Sequence, residues 1–188
     1  ITDVGVQYIA KSFTNLQTLN LYRNNIHDAG AVALAGSGTL SALTSLNLNF
    51  NQIGDDGAVA LLESSKRDKL ETVELAYNNL GVAGKRALER FVWGRKFNAM
   101  YREGTLGNLE KQFIGGMGLS VLLELPYLEK VKELNLSENY LTDTEVVLLA
   151  SSPKLVNVVS LGLARNHITN RGATALAESK TLKNLKNL

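Results

Sequence analysis

The 188-residue sequence contains no cysteine, only two prolines and two histidines, and it carries a formal net charge of +2. Without cysteine, the chain has no disulfides, no thiolate metal sites and no cysteine nucleophile. The small net charge does not by itself indicate a nucleic-acid partner. No apolar run approaches the roughly 20 residues that a membrane-spanning helix requires, so the sequence predicts no membrane span. Hydrophobic residues make up 45% of the chain, which is typical of a globular domain with a sizeable core.

Leucine, by contrast, is abundant and recurs at fixed intervals. Seven positions of a 27-residue pattern are first filled by Leu16, Leu19, Leu21, Asn24, Ile26, Gly30 and Leu34. The same positions are filled over 43–61 and 70–88 and, after an interruption, over 131–149 and 158–176. A repeat of this length predicts a stack of similar units.

Each repeat predicts one strand followed by one helix. Leu19 and Leu21 alternate with polar residues, which is the period of a short strand, and the apolar residues after Gly30 return at helical spacing. Such units require a parallel sheet with right-handed crossovers. Because strands lie about 4.8 Å apart and helices roughly 10 Å apart, the stack must curve. The sequence therefore predicts an α/β fold, a curved right-handed solenoid (horseshoe) with the parallel sheet on the concave face and the helices on the convex face.

Two polar positions of the pattern also predict structure. The asparagine after each strand can bond to backbone groups in a buried turn, which predicts an amide ladder along the stack. An acidic or amide residue stands just before the Gly-Ala start of most helices, at Asp3, Asp28, Asp55, Asp143 and Asn170. We expect these side chains to be helix N-caps. Metal or acid–base chemistry at the adjacent Asp55 and Asp56 is a less favoured interpretation.

The consensus LxxLxLxxNxIxDxGAxALA resembles the leucine-rich repeat of the ribonuclease-inhibitor-like subfamily. That subfamily includes GTPase-activating proteins for Ran, sensor arms of innate immune receptors and many bacterial repeat proteins. The 27-residue period and the segments GAVALAGSGTL and GATALAESKTL are most similar to the bacterial members. The resemblance implies a single leucine-rich-repeat domain over 1–188. Because the chain begins and ends inside a repeat, we expect it to be a fragment of a longer protein.

One repeat is irregular. Asn78 and Asn139 are 61 residues apart, which is two periods plus seven residues. The frame resumes at Ile114, while glycines stand where two earlier leucines are expected, at Gly104 and Gly107. We expect these glycines to leave packing gaps and to weaken the strand. The pattern therefore predicts a lengthened, irregular repeat at about 89–114, in which Gln112 partly imitates the turn asparagine.

The irregular repeat contains a segment, 85–102, in which basic and aromatic residues are interleaved. Such groups are typical of interface hot spots, and we select Trp93, Arg95 and Phe97 as candidate partner-binding residues. RNA or anionic membranes are a less favoured target, and we predict no nucleic-acid partner. A structural interpretation stays open, in which this segment is a long convex helix whose aromatic residues fill the core.

A second candidate surface follows the ends of the predicted strands. The residues between the strand leucines are small, polar and almost uncharged, so they lack the anchors of a tight interface. The turns beyond them are richer, and we select Tyr22, Arg23, Phe50 and Tyr77 as partner-binding residues. The alternative is that these aromatic rings only pad neighbouring turns.

No catalytic, metal or cofactor site is predicted, and we expect no enzyme activity. The segment GVAGKR lacks the spacing of a phosphate-binding loop, and GGMG lacks that of a dinucleotide fingerprint. His27 and His167 have no recognisable nucleophile or metal partners in the sequence and are interpreted as solvated loop residues. The sequence therefore predicts a protein–protein interaction scaffold, with part of a bacterial effector as a further possibility. The alternatives are a GTPase activator of the Ran-activator type and a structural spacer. Both a cytoplasmic location and secretion into a host cell are consistent with the composition.

Overall fold

The computed structural model describes residues 1–188, apart from the side chain of Arg67. Contacts within the chain divide it into unit 1, Ile1–Val92, and unit 2, Trp93–Leu188. Strands of three residues alternate with helices in both units. In chain order the elements are α1 (Asp3–Ser12), β1 (Thr18–Asn20), α2 (Asp28–Gly36), β2 (Ser45–Asn47), α3 (Asp55–Leu62), β3 (Thr72–Glu74), α4 (Val82–Arg102), α5 (Gly115–Glu124), β4 (Glu133–Asn135), α6 (Asp143–Ser151), β5 (Ser160–Gly162) and α7 (Asn170–Ala177).

Unit 1 is a three-stranded parallel sheet backed by helices. The strand order is β1-β2-β3, and Leu46 pairs with Leu19 on one side and Val73 on the other, one repeat away in each direction. Helix α2 packs between α1 and α3. The core consists of the pattern's leucines and isoleucines together with alanines from the helices. The prediction of one strand and one helix per repeat, with parallel strands, is confirmed here.

Unit 2 has the same construction around β4 and β5, in which Leu134 pairs with Leu161. The irregular repeat adds a single bridge between Asn108 and Asn135, where Leu109 N–H donates to Asn135 O over 2.9 Å. The chain therefore follows the strand path where the interrupted pattern placed it. The expected packing gaps are wrong at Gly107, because a Cβ there would lie only 2.6 Å from Glu133 O. The neighbouring Leu106 is also buried.

The amide ladder is confirmed in both units. Asn51 Nδ2 donates to the carbonyls of Leu21 and Leu48 over 2.9 and 3.0 Å, and its Oδ1 accepts from Ile26 N–H over 3.1 Å. Asn139 bonds in the same way to backbone groups of its own and the preceding repeat. In the irregular repeat Gln112 makes only a 3.4 Å bond to Glu110 O, so it imitates the asparagine in part.

The aspartates cap helices, but not the helices that the sequence suggested. Each is the first residue of its own helix, and its carboxylate accepts from the start of the next one. Asp55 Oδ1 accepts from Gly81 N–H and Gly84 N–H at the start of α4, both over 2.8 Å. Asp143 accepts from Thr169 N–H and Gly172 N–H at the start of α7. The predicted N-cap role is therefore wrong by one repeat, because a linear pattern does not show which helix a side chain faces.

The position of the aspartate carboxylate explains why the repeat pattern has a glycine near the start of the next helix. We use the term junction for the contact between the starts of two neighbouring helices. At four junctions, a Cβ on the glycine of the later helix would lie 2.5–2.7 Å from the carboxylate of the aspartate that begins the earlier helix. Such a distance is too short for two non-bonded atoms, so a larger residue would displace the cap. The affected glycines are Gly30, Gly57, Gly84 and Gly172.

One junction in unit 2 uses the opposite arrangement. The aspartate position is filled by Gly116 and the glycine position of the following helix by Glu145. A Cβ on Gly116 would lie 2.8 Å from Glu145 Oε1, so this carboxylate approaches the same place from the other helix. Glu145 Oε2 accepts from Thr142 N–H over 2.9 Å and thereby caps α6 itself.

Both kinds of junction favour the charged carboxylate. The Thr169 hydroxyl and N–H hold the pKa of Asp143 below its ordinary value. Burial raises the pKa of Glu145, but donation from the Thr142 hydroxyl and N–H outweighs burial, and the net direction is downward. Lowered folded-state pKa values stabilise the fold above the unfolded-state pKa. This contribution is lost as the pH falls through the folded-state values.

We expect the protein to tolerate the exchange of residues at positions 116 and 145 only when both are changed together. Glu145→Gly removes a cap, and Gly116→Asp places a second carboxylate against Glu145, so each should cost about 1–2 kcal/mol of unfolding free energy. The double variant recreates the regular Asp–Gly junction and should return to within about 1 kcal/mol of the parent. Urea unfolding of the four proteins measures this coupling. Additive losses in the double variant would show that the two positions do not share one carboxylate site.

Candidate functional site

The turns that follow the strands hold large residues in an unusual backbone conformation. In unit 1, Arg23, Phe50 and Tyr77 have φ angles of 54–57°. The left-handed region is unfavourable for bulky side chains and normally costs about 1–3 kcal/mol. Hydrogen bonds fix the turn, because Arg23 N–H donates to Asn49 O and Phe50 N–H donates to Ala76 O, both over 2.9 Å. The same conformation recurs in unit 2 at Lys111, Glu138 and Arg165.

These turns bring three predicted residues of unit 1 into contact. The ring centroids of Tyr22 and Phe50 are 5.2 Å apart in an edge-on arrangement, and those of Phe50 and Tyr77 are 4.1 Å apart and stacked. The rings remain exposed by 47%, 39% and 73%, respectively. Arg23, the fourth predicted residue of this edge, is also exposed. We call Tyr22, Phe50 and Tyr77 the first aromatic row.

The basic-aromatic segment contributes to the core of unit 2. Phe97 is 0% exposed, and its ring stacks on the half-buried Trp93 with centroids 5.2 Å apart. A Cβ on Gly118 would lie 3.1 Å from Trp93 Cε2, so the indole occupies the place that an aspartate takes at a regular junction. Lys96 Nζ lies 4.8 Å from the centre of the indole ring, and Arg95 is half-buried. These contacts support the structural interpretation of Trp93 and Phe97.

On the outer face of each sheet, polar side chains hydrogen-bond to one another. In unit 1, Glu74 Oε2 accepts from Asn47 Nδ2 and Asn49 Nδ2 over 2.8 and 2.6 Å. In unit 2, Asn135 Nδ2 lies within 3.4 Å of acceptors on Asn108 and Glu110. An open depression of about 1040 Å³ in unit 2 has a mixed lining, which includes the polar Asn108 and Asn135, three glycines and the apolar side chains of Tyr101, Leu106, Val131 and Leu134. A ligand on either face would have to replace existing hydrogen bonds.

Unit 2 contains a second exposed row that the sequence reasoning missed. The ring centroids of Phe113 and Tyr140 are 5.6 Å apart, and those of Tyr140 and His167 are 5.7 Å apart, both stacked. Phe113 and Tyr140 are each 62% exposed. We call these three residues the second aromatic row. They are separated by one 27-residue period each, and this register was the signal that could have revealed them.

Charged residues lie beside this second row. Glu138 Oε1 accepts from Arg165 Nη1 over 2.9 Å and lies 3.5 Å from Lys111 Nζ. Lys111 also approaches Glu110 to 3.7 Å. The cations are the more exposed partners, since the Arg165 side chain is 78% exposed and that of Glu138 is 25% exposed. The two cations and the two carboxylates of this cluster therefore balance, and the ion pairs join three neighbouring turns.

The described residues contain no cluster of three or more metal-ligating His, Cys, Asp or Glu side chains. His27 is held in unit 1, with Nε2 2.9 Å from Gln52 Oε1 and Nδ1 3.4 Å from Asp3 Oδ2. The N–H groups of Gly81 and Gly84 in GVAGKR are bound by the Asp55 carboxylate and are not offered to a phosphate. No described helix combines the length and hydrophobicity required to cross a membrane.

These observations define an α/β repeat protein in which each repeat joins one parallel strand to one helix. Residues 14–60 match the family model described as leucine-rich repeats in two copies, and residues 154–177 match a leucine-rich repeat model. The chain thus contains leucine-rich repeats in both units. No curated protein sequence matches it.

The chain is also similar to the crystal structure of an internalin from Listeria monocytogenes. The sequences are 18% identical, and the TM-score is 0.34. The match covers 97% of this chain and 49% of the internalin chain. The present chain thus spans about half the length of that protein.

Proposed function

We propose that this chain is a protein-interaction scaffold and that a protein partner binds along the first aromatic row and Arg23. The observation that carries the proposal is the contact between Tyr22, Phe50 and Tyr77, which forms one exposed apolar surface across three repeats. Tyrosine and arginine are enriched among the residues that dominate binding energy at protein interfaces.

Preorganisation favours this row as a binding surface. Each ring already packs on its neighbour, and the backbone beneath Phe50 and Tyr77 is fixed by the ladder bonds and the asparagine turn. Ordering of side chains normally costs about 0.5–1.5 kcal/mol for each residue on binding. Rings that are ordered before binding avoid much of that cost. This order supports the row as a binding anchor rather than as padding between turns.

The outer face of the sheet in unit 1 is a poorer binding surface. Its most polar groups, Asn47, Asn49 and Glu74, already bond to one another. Exchange of such bonds for bonds to a partner yields little net free energy. The face also lacks aromatic anchors, whereas the turns beside it present three.

We also propose a subfamily and a relationship for these repeats. We infer that the repeats within each unit form a curved right-handed arc, as in a horseshoe of the ribonuclease-inhibitor-like kind, because helices need about twice the spacing of strands. The 27-residue period and the GAVALAGSGTL segment support a bacterial relationship, in which an effector role inside a host cell would fit.

The proposal is tested by replacing Phe50 and Tyr77 with asparagine, which tolerates a left-handed backbone. We expect affinity for a captured protein partner to fall at least tenfold, because the variant loses two interface anchors. Capture on immobilised chain and quantitation by mass spectrometry measure the loss. A matched control replaces the exposed Val32 and Val82 on helices with serine and should leave capture unchanged. Equal capture by the Asn double variant and the parent would refute the proposed row.

A further inference from the structure

A second open depression in unit 2, of about 480 Å³, lies beside the starts of strands β4 and β5. Its volume falls within the range of small-molecule sites, about 300–1,000 Å³. Four of its nine lining residues are lysines, so cations dominate its chemistry. We call it the lysine depression, and its exposed cations are Lys130, Lys132, Lys183 and Lys186.

The positive charge of the lysine depression is not balanced by carboxylates. The one carboxylate in its lining belongs to Glu129, whose Oε1 lies 2.7 Å from Nζ of Lys154, a residue outside the lining. Among the described residues, none of the four lining lysines forms an ion pair. Like charges that share one depression repel each other, so the cluster opposes folding instead of stabilising the fold.

The repeat pattern does not require these cations. Lys132 and Lys186 stand at one register position, just before the strand, and unit 1 has Gln17, Thr44 and Glu71 at that position. The backbone bonds at the position are the same in both units, because the carbonyls of Gln17, Thr44 and Lys132 each accept from two N–H groups of the following repeat. Neutral and acidic residues therefore build the same structure, and the lysines serve no visible folding role.

The backbone below the lysines is ordered before any ligand binds. Lys132 O accepts from Val159 N–H over 2.7 Å, and Lys186 N–H donates to Val159 O over 2.8 Å. The α carbons of the two lysines are thus two strand spacings apart, about 10 Å. Asn157 and Asn184 donate through Nδ2 to backbone carbonyls of the preceding repeat over 2.9 and 2.8 Å. Only the lysine side chains remain to be ordered by a ligand.

The composition of the lining favours phosphate over other anions. Lysine binds phosphate as a point charge, whereas arginine is the residue that recognises carboxylates with paired hydrogen bonds. Among the residues that the structure describes, the lining has no arginine and no aromatic ring. It therefore lacks the groups that stack on nucleic-acid bases or anchor a protein partner. Its apolar residues, Val159 and Leu185, are half-buried and do not project for insertion into a bilayer.

We propose that the lysine depression binds a small soluble anion that carries two or three adjacent phosphate groups. Adjacent phosphates concentrate several negative charges within the width of the cluster, which a single phosphate or carboxylate does not. Lys132 and Lys186, on either side of Val159, hold the two ends of the phosphate chain, and Lys130 and Lys183 add charge. Since the anion contacts successive repeats, its binding stabilises unit 2. The site is independent of the first aromatic row.

Calorimetric titration of the 188-residue chain with inorganic tripolyphosphate tests the proposal. At about physiological ionic strength, where long-range charge effects are screened, we expect a Kd of roughly 10–100 µM. Inorganic orthophosphate should bind at least tenfold more weakly, because it cannot contact both ends of the cluster. Tripolyphosphate should also raise the melting temperature of the protein, since it binds only the folded chain.

Two variants with the same change in net charge separate a site from general attraction. Lys132→Gln/Lys186→Gln should bind tripolyphosphate at least tenfold more weakly than the parent. Lys11→Gln/Lys69→Gln removes two exposed lysines of unit 1 and should bind within about twofold of the parent. Without the anion, Lys132→Gln/Lys186→Gln should melt no lower than the parent, because it relieves repulsion. A structural role of the two lysines would lower its melting temperature.

Three results would overturn the inference. The first is equal loss of affinity in the two lysine variants, which would show that only net charge matters. The second is equal affinity for orthophosphate and tripolyphosphate, which would indicate no recognition of adjacent phosphates. The third is binding to vesicles that contain a phosphoinositide, lost in Lys132→Gln/Lys186→Gln, when free tripolyphosphate does not bind, which would assign the cluster to a membrane surface. A negative result for the first aromatic row leaves each of these measurements unchanged.

Discussion

Asn51→Ala is expected to lower the free energy of unfolding by about 3–5 kcal/mol. The amide of Asn51 bonds to Leu21 O, Leu48 O and Ile26 N–H in a buried turn. Its removal leaves buried backbone groups without their partners, and each such group costs about 1–3 kcal/mol. Chemical denaturation followed by circular dichroism measures the change.

The matched control for this substitution is Asn79→Ala. Asn79 also lies in a turn of unit 1, but its side chain is exposed and makes only a 3.5 Å bond to Gln52 O. We expect a loss below about 0.5 kcal/mol, as for other exposed positions. Similar losses for the two variants would mean that the amide ladder does not hold the repeats together.

Gly57→Ala is expected to destabilise the protein by about 2–3 kcal/mol, although alanine is the better helix former. A Cβ at this position would lie 2.6 Å from Asp28 Oδ1 and 2.7 Å from the Cα of Asp28. The second of these atoms belongs to the backbone, so the clash cannot be relieved by rotation of a side chain alone. Helix α3 would have to move away from α2.

Gly94→Ala is the same chemical change at another position, and we expect it to change the stability in the opposite direction. Gly94 lies within α4, and no heavy atom outside its immediate surroundings lies within 4 Å of a Cβ placed there. The substitution should therefore stabilise the protein by about 0.5–1 kcal/mol through helix propensity and a smaller unfolded-state entropy. Denaturation midpoints of the two alanine variants should lie on opposite sides of the parent. Stabilisation by Gly57→Ala would contradict the close approach between neighbouring helices.

The sequence predicted the parallel strands, the helices and the amide ladder because each depends on periodicity within the chain. It did not predict the direction of the aspartate caps, since Asp55 begins one helix and caps the next. It also missed the exchange of Gly116 and Glu145, which is intelligible only when two repeats are viewed together. Contacts between repeats carry this information, and a pattern within one repeat does not.

Part of the candidate site, like part of the fold, could be predicted from the sequence. Tyr22, Phe50 and Tyr77 could be selected because they lie at the ends of predicted strands, and the structure places them in one row. Phe97 could not be assigned to core or surface from composition, and its complete burial depends on packing within unit 2. The second row was missed because Phe113, Tyr140 and His167 lie two positions after the turn residues that were selected as candidates, and the stacking of their rings is visible only in the structure.

Site-specific photo-crosslinking tests the proposed scaffold most directly. A benzoylphenylalanine replaces Tyr77 in one protein and Thr72 in another, so that the two probes occupy the turn and the exposed sheet face of the same repeat. Each protein is irradiated with the captured partner, and covalent adducts are identified by mass spectrometry. The proposal predicts adducts from position 77 and few from position 72. Adducts from position 72 alone would contradict the assignment of binding to the first aromatic row.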